Sequence, residues 1–252
     1  MKRFVFLTYL IAWAWWLPLV ISGKIIYPGV GWPTHLIGLM APAIAAFIVI
    51  YFESGSAGIK DLWARVTRFS FNKLTALLTI ATLAFAFIPV LFDNSISLSD
   101  LGKYSGAPDK GLLTILLVFL INGYGEEIGW RGYLAENFLK QDSLTKTSFK
   151  IWLVWAPWHL PLFLILDTYM EMNLFMFVGW LVSIYFGSVV LTWFYKYSRN
   201  SLLVVVSWHI AYNLSVATAA SKGVATALVS SLVIIGAIWI LRIENKNSAN
   251  IS

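Results

Sequence analysis

The stretch that decides the fold is Asn122-Gly123-Tyr124-Gly125-Glu126-Glu127-Ile128-Gly129-Trp130-Arg131-Gly132, which follows directly on the apolar run from Leu112 to Ile121. A run of that kind reads as a membrane helix, and an ionised side chain at membrane depth costs several kcal/mol unless it is paired or solvated. Two adjacent carboxylates and a guanidinium within six positions are hard to explain as packing, so they mark a functional site. The rest of the chain then reads as the means of bringing partners to them.

Composition agrees with a membrane setting. Of 252 residues, 59% are hydrophobic and only 12% charged, with a mean hydropathy of +0.76, whereas soluble domains carry roughly 25% charged residues. The thirteen Trp and eleven Tyr suit aromatic belts at both bilayer interfaces. The absence of Cys excludes disulfides, thiolate metal sites and a Cys nucleophile. A net charge of +6 is read as cytoplasmic loops facing anionic lipid, with no nucleic-acid partner.

A helical span needs about 20 apolar residues. Eight candidates satisfy this, at about 4–22, 33–52, 74–92, 112–134, 150–167, 173–195, 201–219 and 223–242. The first follows Lys2-Arg3, but Pro18 and three Trp in its core, with a poor cleavage site after it, make it a retained helix. With the N-terminus inside, the inside segments hold Lys2, Arg3, Lys60, Arg65, Arg68, Lys73, Arg131, Lys140, Lys146, Lys150, Lys196, Arg199, Arg242 and Lys246. The outside segments hold Lys24, Lys103, Lys110 and Lys222. This bias of 14 to 4 obeys the positive-inside rule for an all-α, eight-helix bundle with both termini cytoplasmic. One domain, residues 1–243, is expected, followed by a polar tail at 244–252.

Two further elements follow from spacing. Ile59, Leu62, Trp63, Val66 and Phe69 recur at helical intervals with charges on the other side, which predicts a short amphipathic helix in the cytoplasmic interface. Gly179, Ser183 and Gly187 predict a packing face on the sixth span.

Three His occur. His35, in Trp32-Pro33-Thr34-His35, is expected at the outer interface, away from the others. His159 lies about nine residues into the fifth span and His209 about eight into the seventh, both from the cytoplasmic end. At about 1.5 Å per residue they reach roughly 12–14 Å, the depth expected of Glu126 and Glu127. A lone buried His is usually a satisfied core residue; two beside a Glu pair at one depth point to a site.

Spacing also suggests roles. Glu127 and Arg131 are four residues apart and can pair. Glu126 points about 100° away and stays free for chemistry. His209 and Asn213, also four apart, face one space, where an imidazole and an amide can stabilise an oxyanion. A carboxylate with an imidazole can activate water against an amide carbonyl. No G-x-S-x-G occurs, which makes water the better nucleophile.

At these residues the chain resembles the CPBP family of intramembrane proteases, which groups CAAX prenyl endopeptidases with bacteriocin-processing and immunity (Abi-type) proteins. Glu126-Glu127-Ile128-Gly129-Trp130-Arg131 matches its E-E-x-x-x-R motif, and His209-Ile210-Ala211-Tyr212-Asn213 its H-x-x-x-N. Trp155-Ala156-Pro157-Trp158-His159 resembles its F-x-x-x-H, with Trp155 in place of Phe. The likeness extends weakly to Gly38-Leu39-Met40-Ala41-Pro42 and to Leu191-Thr192-Trp193-Phe194-Tyr195. The glutamate motif is closer to a prokaryotic subgroup than to eukaryotic CAAX enzymes.

The resemblance implies Glu126 as general base on water, assisted by His159, with Glu127 and Arg131 in support. His209 and Asn213 are implied as the oxyanion hole. The substrate implied is a peptide or lipid-anchored protein presented at the cytoplasmic leaflet of the cell membrane. Glu126, His159 and His209 are also three N/O donors, which leaves a catalytic zinc open beside the preferred metal-free route. A non-catalytic binding or immunity role stands as the alternative. A proton-coupled transporter is disfavoured, because the halves of the sequence show no inverted repeat.

Overall fold

The computed structural model describes residues 1–30, 33–221 and 223–249, so Trp32 and Lys222 lie outside the described residues, as do positions 250–252. The described chain is helical throughout its core, with only isolated backbone bridges between loops. In order, the helices are α1 Lys2–Ile21, α2 Leu36–Leu39, α3 Ala41–Val66, α4 Lys73–Phe85, α5 Ile88–Phe92, α6 Leu112–Phe138, α7 Leu144–Trp158, α8 Asp167–Met170, α9 Leu174–Tyr197, α10 Leu202–Val216 and α11 Gly223–Ala249.

Five stretches among the described residues are long and apolar enough to cross a membrane: α1, α2 with α3, α6, α9 and α11. The other three expected spans are shorter or broken. The third splits into α4 and α5 around Ala86-Phe87, and the seventh, α10, has 15 residues. The fifth departs most. α7 begins at Leu144 and ends at Trp158, where Pro157 and then Pro161 remove backbone donors and turn the chain into a 3-10 turn at Leu160–Leu164.

Contacts between described loops form two groups. At one end Ile26 N donates to Ile165 O at 2.7 Å, Gly29 N to Tyr104 O at 3.1 Å and Ala219 N to Lys103 O at 3.0 Å. At the other end the Arg68 carbonyl accepts from Ser201 Oγ, and Asn72 Nδ2 donates to Tyr197 O at 3.3 Å. The loops predicted outside meet at the first end, and those predicted inside meet at the second.

A helix is present where the interfacial one is expected, but it ends at Val66 and is continuous with the second expected span. α3 bends sharply at Gly55, whose φ of 58° no other residue adopts easily, and runs on to Val66. Its charges do not all face away, as the spacing predicts. Arg65 is buried and donates to Gly132 O at 2.8 Å, Tyr195 Oη at 3.0 Å and Asp61 Oδ2 at 2.9 Å, while Trp63 and Phe69 stay exposed. Gly132's carbonyl sits where α6 opens into wide π-turns, and a cation there satisfies it.

Two other expectations change. A Cβ placed on Gly179 or Gly187 of α9 would meet nothing within 4 Å, so that small-residue face is not an internal packing face; only Ser183 meets a neighbour, Tyr212 Oη, at 3.4 Å. The segment from Glu244 does not leave the domain as a tail. α11 continues to Ala249, and buried Glu244 accepts from Lys196 Nζ at 2.6 Å and Tyr197 Oη at 2.7 Å.

Close packing around α6 comes from glycine. A Cβ on Gly129 would stand 2.4 Å from Pro42 Cβ and 2.7 Å from the Pro42 carbonyl oxygen; one on Gly125 would stand 2.8 Å from Leu39 O. Gly125 and Gly129, four apart on one face, thus let α6 lie against the start of α3, and the carboxylates between them project elsewhere.

Candidate active site

α6 delivers the carboxylates from a short α-turn, Gly125–Gly129, flanked on both sides by π-helical turns at Phe119–Tyr124 and Trp130–Ala135. Such bulges are frequent at functional sites because they re-aim side chains. Glu126, Glu127 and Arg131 are all buried, the last two completely.

Glu127 is the hub. Arg131 Nη1 donates to both its oxygens at 3.0 Å, as the spacing predicts. His209 Nδ1 from α10 lies 2.7 Å from the same Oε1, so Glu127 holds a second helix as well as its own. A carboxylate only accepts, so the proton of that bond sits on Nδ1. Arg131 lays its guanidinium over the Trp155 ring, 4.9 Å from the centroid, and its Nε and Nη2 have no hydrogen-bond partner.

Glu126 is held differently. Its Oε2 accepts from Trp155 Nε1 at 2.7 Å and from Trp130 Nε1 at 3.3 Å. Its Oε1 takes no hydrogen bond from the described residues.

His159 caps α7 and its Nδ1 lies 2.8 Å from the Trp155 carbonyl. The carbonyl accepts, which puts the hydrogen on Nδ1 and leaves Nε2 as the acceptor of a neutral ring. Trp158, Trp180 and Trp155 pack around the ring at centroid distances of 4.9, 5.5 and 5.8 Å. Because α7 starts six residues earlier than the expected span, His159 stands about 22 Å along its helix, not 12–14 Å. It still packs, like His209, against the Trp155 ring, whose Nε1 donates to Glu126. The six expected residues are therefore neighbours, although the shared helix depth inferred for them does not hold.

Asn213 is half-buried and donates from Nδ2 to Asn122 Oδ1 at 3.0 Å; Asn122 Nδ2 donates to Tyr104 Oη at 3.1 Å. This chain of amides ties the site to the loop Lys103–Ala107 at the far end of the bundle. That loop meets α6 at Asn122, and Arg65 meets it at Gly132, only ten residues or roughly 15 Å away. The polar layer is thus thin and reached from both ends.

His35 contradicts its expected place. It is buried, its carbonyl accepts from Trp16 Nε1 at 2.8 Å, its ring lies against Gly106, and it is within electrostatic reach of His159. Trp16 of α1 and the loop at Gly106 cover it. Spacing alone also misses Trp130, Trp155, Asn122 and Tyr104. The usable signal was Asn122, an amide inside an apolar run.

The three donors considered for zinc do not fit a shared metal here. Among the described residues no three His, Asp or Glu side chains are grouped to hold one ion. Glu126 Oε2 is occupied by two N–H donors and His209 Nδ1 by Glu127, which leaves each of these residues one other donor atom.

Fold and centre together define a multi-pass helical membrane protein with a buried carboxylate–imidazole cluster. Residues 108–215, which contain all three motifs, match the family model described as Type II CAAX prenyl endopeptidase Rce1-like. The chain is also 26% identical over 212 residues to CAAX prenyl protease 2 of Methanococcus maripaludis, covering 80% of this chain and 78% of that protein. The chain is thus similar to Rce1-like CAAX prenyl endopeptidases, and this similarity supports a membrane endopeptidase of the CPBP type.

Proposed function

We propose that this protein is an eight-span intramembrane endopeptidase that hydrolyses a peptide bond close to the cytoplasmic leaflet of the cell membrane. In this reading both termini are cytoplasmic and no metal takes part. The observation that carries it is the division of labour between adjacent carboxylates: Glu127 is consumed by Arg131 and His209, while Glu126 spends only Oε2 and keeps Oε1 without a donor.

The chemistry follows from that arrangement. Glu126 Oε1 takes a proton from water, aided by His159 Nε2, and the water oxygen attacks the amide carbon. Asn213 Nδ2 spends one hydrogen on Asn122 and keeps the other for the developing oxyanion. His209 adds a second donor from Nε2 when both ring nitrogens carry hydrogen, with the Glu127 carboxylate standing opposite that charge. Collapse of the intermediate breaks the C–N bond, and the proton held by Glu126 goes to the leaving amine. Similarity to a CAAX prenyl protease makes a prenylated C-terminal peptide the substrate to try first.

The test is cleavage of a farnesylated CAAX-type peptide by purified protein in lipid vesicles. Wild type releases the C-terminal tripeptide, and Glu126→Gln and His159→Ala each lose at least about 100-fold in kcat/KM. Undiminished cleavage by Glu126→Gln overturns the assignment.

A further inference from the structure

The position at which this chain departs from the family's F-x-x-x-H motif is Trp155, and its indole does something a phenyl ring cannot. Nε1 donates to Glu126 Oε2 at 2.7 Å, across 29 residues and between two helices. Trp130, one turn after Glu126 on α6, aims its own Nε1 at the same oxygen, at 3.3 Å. An indole nitrogen donates and never accepts. Two such donors fill both lone pairs of Oε2, so a proton arriving at this carboxyl group finds no vacant electron pair there.

We infer that Trp155 and Trp130 are a positioning pair that reserves Oε2 of Glu126 and makes Oε1 the atom that takes the proton in the reaction. The inference rests on the proposed role of Glu126 as base and adds which oxygen acts and what selects it. Packing supports the assignment. Both indoles are buried, and Trp155 is clamped between the Arg131 guanidinium on its face and the rings of His159 and His209 at 5.8 and 6.1 Å. Trp130 is held edge-on by Phe4 and Trp158 at 5.9 and 5.5 Å. Neither ring can swing away without disturbing several neighbours, so the carboxylate is oriented by a rigid frame. A carboxylate whose reactive oxygen is fixed needs less reorganisation at the moment of proton transfer.

Two replacements separate the N–H from the ring. Trp155→Phe restores the family residue, and β-(3-benzothienyl)alanine at position 155 keeps the indole shape with sulfur in place of N–H. Both are assayed on the farnesylated peptide in vesicles beside Glu126→Gln. The expected result is a fall in kcat of about 10- to 100-fold in both, the range for one hydrogen bond to a charged group, with KM changed less than about twofold. The acid limb of the rate profile moves towards higher pH, because one donor to the ionised carboxylate is gone, and the melting temperature of the benzothienyl protein stays at the wild-type value. Trp130→Phe, which removes the longer bond, gives a smaller fall. Wild-type kcat and profile in the benzothienyl protein, with Glu126→Gln inactive, overturn the positioning role and leave Glu126 as base. Activity in Glu126→Gln overturns the underlying assignment instead.

Discussion

At the scale of single residues, the centre is two carboxylates in unlike surroundings. Glu127 has its Arg and its His; Glu126 has two indoles and one oxygen without a donor. The first set makes a clear prediction about stability. Truncating one partner of a fully buried pair leaves the other charge uncompensated, which costs about 3–5 kcal/mol. Arg131→Ala is therefore expected to lower the unfolding free energy by that amount and to abolish folding at growth temperature, read as lost thermal transition in detergent. The amide chain makes a kinetic prediction. Without Asn122 Oδ1, Asn213 is free to rotate, so Asn122→Ala is expected to reduce kcat roughly tenfold with little change in KM. A KM effect alone would show that Asn122 serves binding. Of this residue-scale picture, the Glu127–Arg131 pair was readable from four-residue spacing, and so was the freedom of Glu126. The Trp155 donor and the Asn122–Asn213 contact were not, because they join residues 29 and 91 positions apart through rotamers that no periodicity encodes.

At the scale of elements, α6 works because it is both closely packed and irregular. Gly125 and Gly129 sit against the backbone of Leu39 and Pro42, and the π-turns on either side aim the charged side chains away from that contact. Alanine ordinarily favours a helix over glycine by about 1 kcal/mol. Here the collision with fixed backbone outweighs it, and overpacking of this kind costs about 1–3 kcal/mol. Gly129→Ala is expected to lower the melting temperature in detergent, while Gly236→Ala, which meets nothing within 4 Å, leaves it unchanged or raises it. Equal effects at both positions would remove the close-approach argument. The glycines were visible in the sequence, as was the Leu39–Pro42 segment, but not their contact. The end of α7 was misplaced for a related reason: Pro157 lies within an apolar run that hydropathy continues through, while the backbone does not.

At the scale of the whole molecule, the described loops gather at two ends. The Arg65–Gly132 and Tyr104–Asn122 contacts leave only a thin polar layer between those ends. The helical character and the grouping of the loops were legible in hydropathy, and the side of the membrane rests on the lysine and arginine bias alone. The contact of the Gly106 loop with His35 had no sequence signal. The chain has no cysteine, so sidedness is measurable with single introduced thiols. In intact cells, Ser95→Cys is expected to react with a membrane-impermeant maleimide, and Gln141→Cys only after permeabilisation. The reverse pattern would place the site's nearer end on the opposite side.

The most direct test of the central claim is hydrolysis of the farnesylated CAAX-type peptide in ¹⁸O-enriched water by wild type and Glu126→Gln, with products read by mass spectrometry. The prediction is one ¹⁸O in the newly formed carboxyl group from wild type and at least a hundredfold less product from the variant. Equal cleavage by the two proteins would contradict a water molecule activated by Glu126.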